Sequence, residues 1–104
     1  MEEALNQLIK MNQEVMTLQE KYCNKKEQLK ELESTIYLYG EKECSEAIGK
    51  EKPSQKDKEH FANLKTLKLQ SEVDKSYLEY KYSQENYKLH KMLFRAKYNT
   101  EAPL

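Results

Sequence analysis

An unbroken 3-4 spacing of apolar residues runs through residues 1–39, starting at Met1 and Ala4. Eleven of the twelve positions in this series are apolar or aromatic, and only Lys25 is charged. Because a seven-residue repeat keeps one seam of an α-helix facing a neighbouring helix, the pattern predicts a coiled-coil helix over residues 1–39. We expect the following residues to form its oligomerisation seam: Leu8, Met11, Val15, Leu18, Tyr22, Lys25, Leu29, Leu32, Ile36 and Tyr39.

The composition favours long helices over a globular core. The chain has 104 residues, and its 38% of hydrophobic residues is nearly matched by 35% of charged ones, which leaves little apolar material for a conventional core. Only two glycines and two prolines interrupt it. Low hydrophobicity is also typical of disordered chains, but eight tyrosines and the regular leucine spacing argue against disorder.

Glycine and proline divide the chain. Gly40 follows the last seam residue, where a left-handed glycine commonly ends a helix, so we expect the first helix to stop there. Residues 40–53 form a charged connector in which at most a short turn is expected around residues 45–48. Pro53, Ser54 and Asp57 mark a helix start with a variant of the capping box, which predicts a second helix over 54–98. Residues 99–104 are expected to be a frayed tail.

The second helix carries two apolar stripes instead of a single seam. A neighbouring helix of a hairpin can cover only one of them, so we expect the other to be exposed or to be covered by a further helix. One stripe comprises Leu69, Val73, Tyr77, Tyr80, Tyr87, Phe94 and Tyr98, and the other comprises Leu64, Leu67, Leu78, Tyr82, Leu89 and Leu93.

Together these patterns predict an all-α fold in which two long helices form an antiparallel helical hairpin or coiled coil. Leu5, Ile9, Met16 and Cys23 broaden the seam of the first helix, and broad seams suit bundles of three or four helices. We therefore expect the hairpin to pack further into a dimeric four-helix bundle. The alternative is a parallel dimer in which the connector is only a kink.

Tyrosine is concentrated on the second helix, and its ring with a terminal hydroxyl suits interfaces whose rims stay wet. A partner-binding surface is therefore predicted there. In the alternative interpretation, the same rings simply pack against the first helix. The predicted partner-binding residues are Tyr77, Tyr80, Tyr87, His90, Phe94 and Tyr98.

Lys25 interrupts the heptad at a d position. A charged side chain in a seam either extends outward to water or pairs with a facing carboxylate. We expect it to control register or orientation and not to take part in catalysis.

Several classes of function find no support in the sequence. Eighteen basic residues balance eighteen acidic ones, so nucleic acid is not expected as the main partner, and no apolar run could span a membrane. His60 and His90 are too far apart on one helix to share a metal, and His60 is expected to be exposed. Cys23 and Cys44 are expected to be reduced thiols, with Cys44 the more exposed. We predict no catalytic residue, metal, cofactor or small-molecule substrate.

The predicted function is therefore that of a non-enzymatic interaction protein, soluble in the cytoplasm or nucleus. It would serve as a scaffold or adaptor subunit of a complex of cytoskeletal, centrosomal, kinetochore or trafficking type, by analogy at the level of fold. Its partner would be protein, in a homodimer or a heteromeric helical bundle. The alternative is a small helical-hairpin assembly chaperone that binds a client protein transiently.

Overall fold

The computed structural model describes residues 1–98, and these form three α-helices without a strand. Helix α1 spans Glu2–Tyr39, α2 spans Glu41–Ile48 and α3 spans Gln55–Tyr98. Neither α1 nor α3 contains a glycine or proline, which explains why both run without interruption. The predicted tail, residues 99–104, lies outside the described residues.

The chain divides into two compact units. Unit 1 comprises Met1–Cys23 and the described residues from Lys75 onward, and unit 2 comprises Asn24–Asp74. The long helices α1 and α3 contribute to both units and pack against each other within each.

Unit 1 is held by apolar packing between α1 and α3. Leu8 and Val15 of α1 are buried in one cluster with Tyr87 and Phe94 of α3. Further along α1, Lys21 pairs with Glu79 of α3 at 3.5 Å. Because the partner's number falls as the α1 number rises, the two helices run antiparallel in this unit. Partly buried residues extend the cluster: Ala4, Leu5, Met11, Tyr80 and Tyr98.

Unit 2 shows the same antiparallel pairing. Lys25 of α1 contacts Glu72 of α3 at 3.2 Å, and the Tyr37 hydroxyl donates a hydrogen bond of 2.7 Å to Gln55 Oε1. The predicted pairing of two long helices is thus present in each unit. The buried residues of unit 2 are Cys44, Pro53, Phe61, Ala62 and Thr66.

The expectation of a left-handed cap at Gly40 is wrong. Gly40 has φ −91° and ψ 9°, and its N–H still donates to Ile36 O at 2.8 Å. A Cβ atom at this position would collide with the Ile36 carbonyl oxygen, which explains the need for glycine. The left-handed glycine is Gly49, with φ 71°, at the C-terminus of α2.

The connector is also more ordered than expected. Helix α2 occupies Glu41–Ile48, where at most a short turn was predicted. The Cys44 N–H donates to Gly40 O at 2.9 Å, so hydrogen bonding of helical type resumes directly after the bend. At the other end, the Ser45 hydroxyl donates to the Lys50 carbonyl and so helps to close the turn into Pro53.

The start of α3 is a reciprocal capping box, as the sequence predicts. The Asp57 N–H donates to Ser54 Oγ at 3.2 Å, and the Ser54 N–H donates to Asp57 Oδ2 at 3.0 Å. The hydrogen bonds from the Ser54 backbone and side chain, followed by Lys50, lower the pKa of Asp57 below its usual value. The carboxylate therefore remains ionised at the positive end of the helix dipole.

Replacing Ser54 by alanine should lower the free energy of unfolding by about 1 kcal/mol, because the Asp57 amide loses its capping acceptor. Urea denaturation followed by circular dichroism would measure this change. Ser71→Ala is the matched control, since Ser71 is an exposed serine inside α3, where alanine is the better helix former. Equal destabilisation by both variants would contradict a capping role for Ser54.

Candidate helix-binding surface

The predicted seam of α1 faces α3 of the same chain. Leu8 and Val15 are buried, whereas Leu32 is partly exposed and Tyr39 is 81% exposed. The seam therefore serves packing within the chain, and its predicted role in joining copies stays a prediction. The remaining seam residues are all half-buried: Met11, Leu18, Tyr22, Lys25, Leu29 and Ile36.

The charged seam residue Lys25 pairs with a facing carboxylate, which is one of its two predicted arrangements. Its Nζ lies 3.2 Å from Glu72 Oε2, and the two side chains are 30% and 42% exposed. Pairs with this much solvent contact contribute about 0–1 kcal/mol. The pair therefore adds little to stability, and the role of Lys25 in register or orientation stays a prediction.

The predicted partner-binding residues mostly pack within the chain. Tyr87 and Phe94 are buried, while Tyr80, His90 and Tyr98 are half-buried. Tyr77 is the most exposed of the set, at 40%. Tyr87 and Phe94 fit the alternative interpretation, in which the rings pack against the first helix. They leave little ring surface for a partner.

Aromatic contacts join some of these rings to α1 and others to one another. The Tyr22 ring lies 5.2 Å from the Tyr77 ring and 6.2 Å from the Tyr80 ring, measured between centroids. The rings of Phe94 and Tyr98 are 4.8 Å apart. Separations of this size are favourable for tilted and offset aromatic pairs.

His90 is bonded locally. Its Nδ1 lies 2.9 Å from the Asn86 carbonyl oxygen, one helical turn earlier. Because a carbonyl only accepts, this contact places a proton on Nδ1. His60, by contrast, is exposed, as the sequence predicts.

Lysine ammonium groups lie over several of the tyrosine rings. Lys81 is 5.7 Å from the Tyr77 centroid and 5.5 Å from that of Tyr80. Lys91 lies 5.5 Å from the Tyr87 ring. Cation–π contacts of this length stabilise exposed sites by about 0.5–1 kcal/mol. They hold positive charge along the C-terminal half of α3.

The sequence predicts that α1 covers only one of the two apolar stripes of α3, without saying which. The uncovered stripe is the leucine-rich one, and not the aromatic one on which partner binding was predicted. In unit 2, Leu64 and Leu67 are exposed. In unit 1 the exposed residues recur at helical spacing on the side of α3 that does not contact α1. Each of these five is more than half exposed, and we call them the back stripe: Leu78, Tyr82, Leu89, Met92 and Leu93. Met92 was not part of the predicted stripe, although its spacing of three from Leu89 could have revealed it.

A second open feature is a groove of about 540 Å³ within unit 2. Its apolar lining includes Tyr37 and Leu38 of α1 and Ala62 of α3. Each helix also contributes one acidic residue, Glu33 from α1 and Glu59 from α3. We call these five residues the acidic groove. Sequence reasoning missed it, since its lining comes from distant parts of the chain.

The expected exposure of the two cysteines is reversed. Both thiols are free, but Cys23 is exposed whereas Cys44 is only 1% exposed. The reason is that the connector folds as α2 and turns Cys44 inward, where its Sγ lies 3.7 Å from the Asp57 carbonyl oxygen. Cys44 is therefore a small packing residue of unit 2.

Within residues 1–98, no cluster of three or more His, Cys, Asp or Glu side chains could hold a metal ion. In the same part of the chain, none of the helices has the length and apolar content required to cross a bilayer. No protein-family model, curated protein or solved structure matches the chain. Its function must therefore be argued from the exposed surfaces themselves.

Replacing Tyr87 by phenylalanine should raise the free energy of unfolding by about 1 kcal/mol. The Tyr87 hydroxyl is buried and has no hydrogen-bond partner, and such groups are costly to desolvate. Burial also raises the pKa of Tyr87 above its ordinary value near 10, because the ionised form is poorly solvated in the folded state. The free energy of unfolding is therefore unaffected by this group below about pH 10 and falls as pH rises through the raised pKa. The variant should therefore lose less stability in alkaline solution.

Denaturant titrations at neutral and alkaline pH would measure both effects of Tyr87→Phe. Tyr80→Phe is the control, because the Tyr80 hydroxyl accepts a hydrogen bond from Gln84 Nε2 at 3.4 Å. That variant should be neutral or slightly destabilised. A loss of stability in Tyr87→Phe would show that its hydroxyl has a partner after all.

Replacing Lys25 by leucine should raise the free energy of unfolding by roughly 1 kcal/mol, or about 4–8 °C in Tm, because a seam position becomes apolar. Glu72→Gln removes the same ion pair without adding apolar area and should change stability by less than about 1 kcal/mol. Thermal melts compare the two variants. If Lys25→Leu raises Tm but leaves oligomer size and partner preference unchanged, the register role predicted for Lys25 is wrong.

Proposed function

We propose that this chain is a non-enzymatic interaction subunit that binds other helices through the back stripe. The observation that carries the proposal is the exposure of five large apolar side chains along one side of α3, each more than half open to solvent. A contiguous exposed apolar patch on a protein surface can mark an interaction site. A helix laid along α3 would cover this one.

The spacing of the back stripe supports a helical partner. Leu78, Tyr82, Leu89 and Met92 follow the three- and four-residue intervals of a helix face. An amphipathic helix that packs on such a face buries residues at the same intervals. The length of the stripe, about four turns, gives such a partner several anchoring points.

The packing of α1 against α3 fixes α3 in place and leaves the back stripe exposed. The contacts of Tyr87 and Phe94 with α1 take up the opposite side of α3. The back stripe is therefore presented on a helix that is already held in place, which lowers the ordering cost of binding. This property suits a scaffold or adaptor subunit of an intracellular complex, assembled as a homodimer or with other coiled-coil proteins.

Leu78→Ser combined with Leu89→Ser should abolish association while leaving helicity and the Tm of the monomer nearly unchanged. Both leucines are exposed, so the exchange removes apolar area from the binding surface and not from the packing with α1. Sedimentation velocity of the purified chain would measure self-association. Co-purification from cell extract would measure binding to other subunits at fixed stoichiometry.

Ile48→Ser is the control, because it removes an exposed apolar side chain from α2, outside the seam and the back stripe. It should leave association intact. A wild-type chain that stays monomeric and co-purifies with no subunit at fixed stoichiometry would overturn the proposal. Weak binding of clients that exchange rapidly would favour the assembly-chaperone alternative.

A further inference from the structure

We propose that the back stripe of one copy docks into the acidic groove of a second copy. The inference rests on the proposed function, since it assigns an occupant to the same stripe. Two identical contacts would then join two chains in a symmetric dimer, with each copy supplying one stripe and one groove.

The acidic groove has the chemistry to accept a basic, apolar helix face. Leu38 is 67% exposed and forms an apolar lining with Tyr37 and Ala62. The carboxylates of Glu33 and Glu59 belong to different helices, so an occupant lying in the groove meets one acid from each. The preferred occupant is therefore a helix whose apolar side chains contact the apolar lining and whose cationic side chains lie beside the two carboxylates.

The C-terminal part of the back stripe matches this description. Leu89, Met92 and Leu93 form an exposed apolar ridge at i, i+3 and i+4 spacing. Lys88 and Arg95 are both exposed and lie seven residues apart, which places them along one edge of that ridge. Lys88 is 61% exposed and pairs with Glu85 at 3.5 Å, a surface contact that a new carboxylate could replace.

Charge is distributed in the same sense over longer stretches. Residues 81–98 contain five basic residues and one acidic residue, a net charge of +4. Residues 27–46 contain six acidic residues and two basic ones, a net charge of −4. Opposite net charges of this size favour contact between the two stretches of different copies.

Interface area favours a second copy over a single foreign helix. A standard interface buries roughly 800 Å² on each partner. A two-fold dimer uses the stripe and the groove of both copies and so doubles the contact. It also covers the groove and the C-terminal part of the stripe at once.

Charge reversal on either surface tests the proposal. Glu33→Lys with Glu59→Lys places cations in the groove, and Lys88→Glu with Arg95→Glu places anions beside the ridge. Each double variant of the full chain should have a dissociation constant about a hundredfold higher than that of wild type, since like charges then meet at both contacts. Sedimentation equilibrium over a concentration series measures the dissociation constant.

Mixing the two double variants provides the decisive comparison. In the mixed dimer, one contact pairs a wild-type stripe with a wild-type groove, and the other pairs an anionic stripe with a cationic groove. Both contacts are then complementary, so the mixture should associate with an affinity near that of wild type. A wild-type chain that remains monomeric, or a mixture no tighter than its components, would overturn the proposal.

Two control variants change the same number of charges elsewhere. Glu14→Lys with Glu20→Lys and Lys10→Glu with Lys56→Glu alter exposed residues outside the stripe and groove. Both should keep the wild-type dissociation constant. An equal loss of affinity in these controls would assign the effect to net charge and would overturn the docking proposal.

A cross-linking measurement on the wild-type chain keeps the proposal testable if a variant fails to fold. Carbodiimide treatment of a mixture of ¹⁵N-labelled and unlabelled chains should join Lys88 of one isotopic form to Glu33 or Glu59 of the other. A dimer that yields cross-links between copies only at other positions contradicts the docking.

Other outcomes separate this inference from the proposed function. If Leu78→Ser with Leu89→Ser abolishes association but charge reversal does not, the stripe binds helices and the groove is not its site. If the chain is monomeric alone but binds other subunits at fixed stoichiometry, only the second-copy inference fails. If it stays monomeric and sediments with vesicles of anionic lipid, and Lys88→Glu with Arg95→Glu prevents this, the stripe is a membrane surface and both proposals fail.

Discussion

The packing of Leu8 and Val15 against Tyr87 and Phe94 is the contact on which the exposed surfaces of unit 1 depend. Burying an aliphatic or aromatic side chain contributes about 1.5–3 kcal/mol, which makes this cluster a principal source of stability. Because α3 carries apolar residues on two sides, covering one side with α1 leaves the other without a partner. The back stripe is therefore a direct consequence of how α1 and α3 pair.

The two long helices were predictable because their signals are local. A heptad series without glycine or proline predicts α1, and the Pro53, Ser54 and Asp57 combination predicts the start of α3 within one residue. Helix α2 was not predictable in the same way, since eight residues cover barely two turns and only Cys44 among them is buried. Cys44 packs against the Asp57 carbonyl in unit 2, and tertiary packing of this kind supplies most of the stability of a helix this short.

The choice of face on α3 was harder to predict, and polar residues explain why. Thr66 and Ser76 are almost fully buried. Because both are polar, they interrupt the spacing of apolar residues that would otherwise identify the covered side of α3. Thr66 donates to Ala62 O at 2.9 Å and accepts from Gln70 Nε2 at 2.8 Å, so its burial leaves the hydroxyl hydrogen-bonded. Tyrosine preference was similarly ambiguous, because a ring that suits an interface between chains also suits one within a chain.

The overall neutrality of the chain conceals a local separation of charge that composition alone does not reveal. Exposed charges further apart than about 8–10 Å are largely screened at physiological ionic strength, so a balanced total says little about any one surface. At contact distance, the charges beside an apolar surface determine which partner surface it binds. Glu33 and Glu59 beside Leu38, and Lys88 and Arg95 beside Leu89, combine apolar area with opposite charge. Such a pair of surfaces can select each other even though the chain as a whole attracts neither cations nor anions.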